Sequence, residues 1–225
     1  MNRKKLVVFD MDGTILDTLD DLKESLNVTF RKFGFPERTR EEVQGFVGNG
    51  IPKLIERAVP AGVQASVQEE VLKTFLEYYQ IHCNDLTRPY KGIPELMKWL
   101  KEQGCLIAVA SNKADPAVGK LCDIFFTGLV DFAVGDLPGQ KKKPAPDMVN
   151  RVLNTLQIEK EEAVYIGDSE VDIATAKNAG LDCIVVTWGF RDRDLLEKSG
   201  GKLFADTTEQ VQSILTAAGC TSCHQ

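Results

Sequence analysis

From Pro89 onward the sequence alternates short, unbroken apolar runs with amphipathic stretches, and this alternation restricts the fold more than any other feature. The runs CLIAVAS (105–111), DFAV (131–134), AVYIGD (163–168) and CIVVT (183–187) have no polar side, so as strands they need cover on both faces. Helices are predicted between and after them at 94–103, 115–122, 146–156 and 170–179, with a last one near 207–217. Strand and helix in succession mean parallel strands joined by crossovers. A further apolar run at 4–9 can join the same sheet. The expected fold is α/β, a doubly wound parallel sheet.

Residues 16–85 are different. Leu19, Leu22, Leu26, Phe30 and Phe33 recur at helical spacing, as do Val67, Val71, Leu72, Phe75, Leu76 and Tyr79, with shorter helical pieces at 43–47 and 52–59. The chain therefore divides into an α/β core, residues 1–15 and 86–225, and an inserted helical cap, residues 16–85. An insertion after the first strand is expected at the carboxyl ends of the strands, where open α/β sheets bind ligands, and reads as a lid.

The formal net charge of −6 argues against nucleic acid or an anionic membrane as partner, while leaving room for a small anionic substrate. No apolar run approaches the length of about 18 residues that a membrane span requires. Arg3, Lys4 and Lys5 precede too few apolar residues for a signal peptide, so a cytoplasmic location is expected, with a monomer or weak homodimer as the working form. The six cysteines (83, 105, 122, 183, 220, 223) are scattered, and free buried thiols are expected at Cys105 and Cys183, with no disulfide framework. The terminal CTSCHQ matches the C-x-x-C-H form of haem attachment at Cys220, Cys223 and His224; without an export signal or an enclosing pocket this reading is set aside.

Three runs end in a polar group: Asp10, Ser111 and Asp168. A parallel sheet places all its carboxyl ends on one edge, so these residues meet, with Asp12 and Asp172 beside them and Lys143 brought in by the loop KKKPAP. Asp10 and Asp12, two apart, share a face and repel, which calls for a cation between them. An oxygen-rich set away from both histidines (82 and 224) favours Mg²⁺ over zinc. Asp10 is then the candidate nucleophile toward phosphorus. Asp12, raised by like charge nearby, is the acid that protonates the leaving oxygen and later accepts a proton from water. Gly13 permits a turn whose N–H groups cradle phosphate, and Lys143 balances transition-state charge. Asn112 and Asn49, the latter in a Gly48-Asn49-Gly50 loop of the cap, are candidate substrate contacts; Lys53, Arg57 and Arg191 are candidate partners for a second anionic group.

Asp10-Met-Asp12-Gly13-Thr14, Ser111-Asn112, Lys143-Pro144-Ala145-Pro146 and Gly167-Asp168-Ser169-Glu170-Val171-Asp172 resemble, in order, the four motifs of the haloacid dehalogenase superfamily. The resemblance implies a Rossmann-like core with a helical cap and an aspartyl-phosphate intermediate. It implies Mg²⁺ held by the Asp10 carboxylate, the Asp12 backbone carbonyl and Asp168. Ser111 and Lys143 would bind the phosphoryl group, and Asp172 would orient Lys143 or a metal-bound water. FVGNG (46–50) and WGFRDRDLLEKSGG (188–201) make the chain most similar to the phosphoglycolate phosphatases. An acid at position 12 favours phosphoryl chemistry over dehalogenation. The expected activity is Mg²⁺-dependent hydrolysis of a small phosphomonoester; a phosphoryl mutase or pyrophosphatase of the same superfamily is the alternative. A non-enzymatic phospho-receiver is the reading from another class. Receivers are shorter and lack a large helical insertion.

Overall fold

The computed structural model describes residues 4–219; Cys220, Cys223 and His224 lie outside them. The described residues form a six-stranded, wholly parallel sheet from β1 (Leu6–Phe9), β4 (Leu106–Ala114), β5 (Phe132–Asp136), β6 (Ala163–Gly167), β7 (Asp182–Val186) and β8 (Leu203–Ala205), in the order β5-β4-β1-β6-β7-β8. Two further strands, β2 (Leu16–Asp17) and β3 (Arg88–Pro89), pair with each other where the chain leaves the sheet and returns to it.

The absence of a polar side on the strands has a direct structural counterpart. Val7 and Phe9 pack in one apolar layer with Ile107, Val109 and Ile166, against α5 (Ile93–Glu102), α6 (Asp115–Phe125) and α10 (Thr208–Ala217). Leu6 and Val8 face the opposite layer with Ala108, Ala110 and Tyr165, against α7 (Asp147–Leu156) and α8 (Glu170–Ala179). Successive side chains point to opposite faces, so a strand covered twice must be apolar at every position. Each large side chain buried this way stabilises the fold by about 1.5–3 kcal/mol.

By its internal contacts the chain divides into one unit up to Leu16 and from Pro89 onward, and a second over Asp17–Arg88. The second is built from α1 (Leu19–Phe33), α2 (Arg40–Phe46), α3 (Ile51–Ala58) and α4 (Ala65–His82). Gly34 ends α1 in a left-handed conformation, and a Thr39/Glu42 capping box starts α2. Asp21, buried on α1, accepts from the N–H of Leu86 (2.9 Å) and Thr87 (2.8 Å) and from the Thr87 hydroxyl (2.6 Å), tying the unit's last residues to its first helix. Among the described residues no helix is long and apolar enough to cross a membrane.

Three differences from expectation have physical reasons. The short α9 (Arg193–Lys198) and β8 were not anticipated, because neither is long enough to show a periodicity. The fourth strand continues past Ser111 to Ala114, and its pairing with β5 shifts register between Ala110 and Ala114. Such an irregularity re-aims side chains at the end of a strand. Cys83, Cys122 and Cys183 are free, but Cys105 is disulfide-bonded, against the expectation of a free thiol. It precedes β4 at the amino edge of the sheet, where a thiol can meet another segment, and is not enclosed within the strand.

Candidate active site

Asp10 follows β1, the strand between β4 and β6, and its N–H still donates to Ile166 O (2.9 Å). The chain then turns about the Met11 carbonyl, which accepts from Thr14, Ile15 and Leu16 N–H. Gly13 makes this possible at φ +88°, and a Cβ there would collide with the Asp168 carboxylate. Asp168 comes off β6 and is held at both oxygens: Oδ1 accepts from the Thr14 hydroxyl (3.0 Å) and Oδ2 from Phe190 N–H (2.8 Å). Trp188 Nε1 donates to Thr14 O (3.0 Å), so the loop after β7 fixes Asp168 from two directions.

Lys143 crosses the middle of the site. Its buried ammonium lies 2.7 Å from Asp10 Oδ1, 2.8 Å from Asp172 Oδ1 and 3.0 Å from the Tyr165 hydroxyl. Asp172 is the third residue of α8 and forms a capping box with Ser169. Its Oδ2 accepts from Ser169 Oγ (2.5 Å) and Ser169 N–H (3.2 Å), and its Oδ1 accepts from Lys143 and from the Tyr165 hydroxyl (3.0 Å). Both oxygens of Asp172 are thus occupied by the chain itself, and the carboxylate aims the lysine.

Asn112, expected to touch substrate, uses its side chain otherwise. Oδ1 accepts from Lys143 N–H (2.8 Å) and Nδ2 donates to Lys143 O (3.1 Å), while Asn178 Nδ2 donates to Pro144 O (2.8 Å). The loop carrying Lys143 is clamped by its backbone. Asn112→Ala is expected to cost about 1–3 kcal/mol of stability and to lower kcat/KM by about tenfold or more through misplacement of Lys143; urea unfolding and steady-state kinetics would measure both.

Ser111, buried at the site, accepts from Lys113 N–H at its hydroxyl oxygen (3.2 Å), leaving the hydroxyl proton to donate elsewhere. Lys113 Nζ lies 2.9 Å from Asp12 Oδ1 and 3.3 Å from Oδ2. The expectation that Asp12 sits against like charge is corrected here, since the charged group bonded to it is a cation. Asn49 belongs to the helical unit, where its Oδ1 accepts from Arg57 Nη2 (2.7 Å). Of the other expected anion contacts, Arg191 pairs with Glu170 (2.9 Å) and Lys53 with Glu56 (2.6 Å).

Burial, with Asp172 and Asp168 adding to it against the pull of Lys143, pushes the Asp10 carboxyl well above the usual carboxylate range. Burial and Asp172 push Asp168 up to about 7, against the Phe190 and Thr14 hydrogen bonds. Burial opposes the charge on Lys143, but Asp10 and Asp172 outweigh it and hold the ammonium well above the ordinary lysine range. Ligand oxygens of Asp10, Asp168 and Asp172 lie within 4.8 Å of one another. An all-oxygen, acid-rich set in which burial disfavours the charge on Asp10 and Asp168 fits a hard divalent cation.

This electrostatics has a stability consequence. An unfolded Asp titrates near about 3.9, so between there and about 7 the folded chain holds a proton on Asp168 that the unfolded chain has lost. Stability of the metal-free protein is therefore expected to fall as pH rises through that window, by on the order of 4 kcal/mol. Urea unfolding at pH 5 and pH 8 in EDTA would show the fall, and Mg²⁺ at pH 8 should reverse much of it.

Lys113 and Tyr165 escaped the sequence reading. A lysine two residues beyond a strand-end serine shares its face, and that spacing was the available signal for Lys113. Tyr165 gave none, since a tyrosine within an apolar strand reads as core.

Residues 7–186 match the family model described as haloacid dehalogenase-like hydrolase. The chain is 33% identical over 192 residues to phosphoglycolate phosphatase 1 of Pseudomonas aeruginosa, spanning 83% of this chain and 70% of the relative. It is 32% identical over 187 residues to the phosphoglycolate phosphatase of Aquifex aeolicus, spanning 83% and 86% of the two. Among solved structures, an inferred phosphoglycolate phosphatase from Lactobacillus delbrueckii subsp. bulgaricus matches with a TM-score of 0.90 and 37% identity, over 95% of this chain and 98% of that one. A fold match of this extent, together with the family match, settles the lineage: the chain belongs to the haloacid dehalogenase-like hydrolases.

Proposed function

We propose that the protein is a Mg²⁺-dependent phosphatase that hydrolyses 2-phosphoglycolate, or a small phosphomonoester closely like it, through an aspartyl-phosphate on Asp10. The observation that carries the reading is the Lys143 ammonium held between Asp10 and Asp172. A cation there lies beside both the nucleophile and the oxygens of a transferring phosphoryl group.

Asp10 attacks phosphorus with a carboxylate oxygen as the ester P–O bond breaks, and Asp12 gives its proton to the departing oxygen. Water then attacks the phosphorus of the acyl phosphate, Asp12 takes the water's proton, and the P–O bond to Asp10 breaks to restore the carboxylate. Ser111 donates to a phosphoryl oxygen and Lys143 balances its charge. Asp10, Asp168 and the Asp12 carbonyl would hold the metal, which supplies neutralisation of the phosphate and the acids when bound. Asp172 keeps Lys143 aimed.

The named activity of the curated relatives supports the choice of substrate. A charged phosphomonoester does not cross membranes unaided, which supports a cytoplasmic site of action; a monomer or weak homodimer is the proposed working form, and the net charge of −6 weighs against nucleic acid as a partner. The test is a kcat/KM panel with Mg²⁺ over phosphoglycolate, sugar phosphates, nucleoside monophosphates and pyrophosphate. Phosphoglycolate is expected to reach about 10⁴ M⁻¹s⁻¹ or more, with EDTA abolishing turnover. Uniformly feeble rates would remove the substrate assignment, and a chain that kept its phosphate for hours would favour a receiver.

A further inference from the structure

The pair Asp10 and Asp12 is served by two lysines, one for each acid. Lys143 belongs to Asp10. Lys113 reaches Asp12 from the irregular end of β4, with a side chain only 4% exposed, whereas that of Asp12 is 25% exposed. A buried ammonium is retained where it has a partner to hold, and here the partners include a carboxylate on the turn after β1 that is otherwise open to solvent on one side. General acid catalysis needs the proton donor within hydrogen-bond reach of the leaving oxygen, and a misplacement of about 1 Å can cost about 100-fold.

We propose that Lys113 is a positioning residue for Asp12, fixing its carboxyl group on the leaving-group side of the site. Lys113 holds both oxygens, Oδ1 at 2.9 Å and Oδ2 at 3.3 Å, and so fixes the orientation of the whole carboxyl group towards the leaving oxygen. This inference rests on the phosphatase reading above.

The test separates the two by comparing leaving groups in single turnovers with enzyme in excess and Mg²⁺ present. Phenyl phosphate and 2,4-dinitrophenyl phosphate both transfer phosphoryl to Asp10, but only phenolate needs a proton as it departs. Lys113→Met is expected to lower the ratio of phenol release to dinitrophenolate release by about 10–100-fold, and Lys113→Arg to recover much of it. In an Asp12→Asn background the same substitution should change the ratio by less than about twofold, because it acts through Asp12. If Lys113→Met does not fold by circular dichroism, Lys113→Gln is read in the same way. A ratio equal to that of the unaltered protein, even with both rates reduced, assigns Lys113 a purely structural role and overturns the proposal. An unaltered protein that releases neither product overturns the phosphatase reading itself, and this inference with it.

Discussion

Asp10→Asn is expected to lower turnover by about 10⁴-fold or more and, in the absence of metal, to make the protein more stable. The two effects share one cause. The carboxylate is buried beside Asp172 and Asp168, and the groups that disfavour its charge outweigh Lys143, so the folded chain carries a cost that a neutral amide does not. The gain should appear at pH 8 in EDTA as a higher midpoint of urea unfolding. An amide cannot attack phosphorus, so phosphate release falls to background. If the variant kept more than about a hundredth of the activity, the nucleophile would have to be another residue. With Mg²⁺ present the stability order should shrink or reverse, because the cation favours the charged form.

Lys143→Met is expected to move stability the other way, by about 3–5 kcal/mol, since it strands Asp10 and Asp172 in the interior without their counter-charge. Catalysis should fall with it by about 10²–10³-fold through loss of a preorganised cation. Combining the two substitutions decides whether they act on one interaction. The double variant should be distinctly more stable than the sum of the single effects, because Asp10→Asn removes one of the charges that Lys143 answers. A Lys143→Met protein within about 1 kcal/mol of the parent would mean that the three-way contact contributes little.

The doubly covered sheet and the helical block were legible because both are written in spacing: four strands without a polar side, and apolar positions three and four apart. Asp10, Ser111 and Asp168 were legible for the same reason, since each closes an apolar run and parallel strands share an edge. What stayed hidden depends on geometry that spacing does not encode. Asn112 clamps a loop some thirty residues away in sequence through its amide group. Tyr165 turns its ring into an apolar layer while its hydroxyl reaches Lys143 and Asp172. Lys113 lies within the stretch, between Ala110 and Ala114, over which the pairing of β4 with β5 shifts register. Cys105 had been assigned from burial alone, and burial does not determine whether a thiol is cross-linked.

The position of β1 between β4 and β6 has a consequence for how the protein is born. The segment that ends in Asp10 leaves the ribosome well before one of its two neighbours, which begins only at Ala163. At about 5–20 residues per second it waits roughly ten to thirty seconds for its second edge to be covered. Because its seat lies at the centre of the sheet, the crevice can assemble only after the whole span to Gly167 has been synthesised.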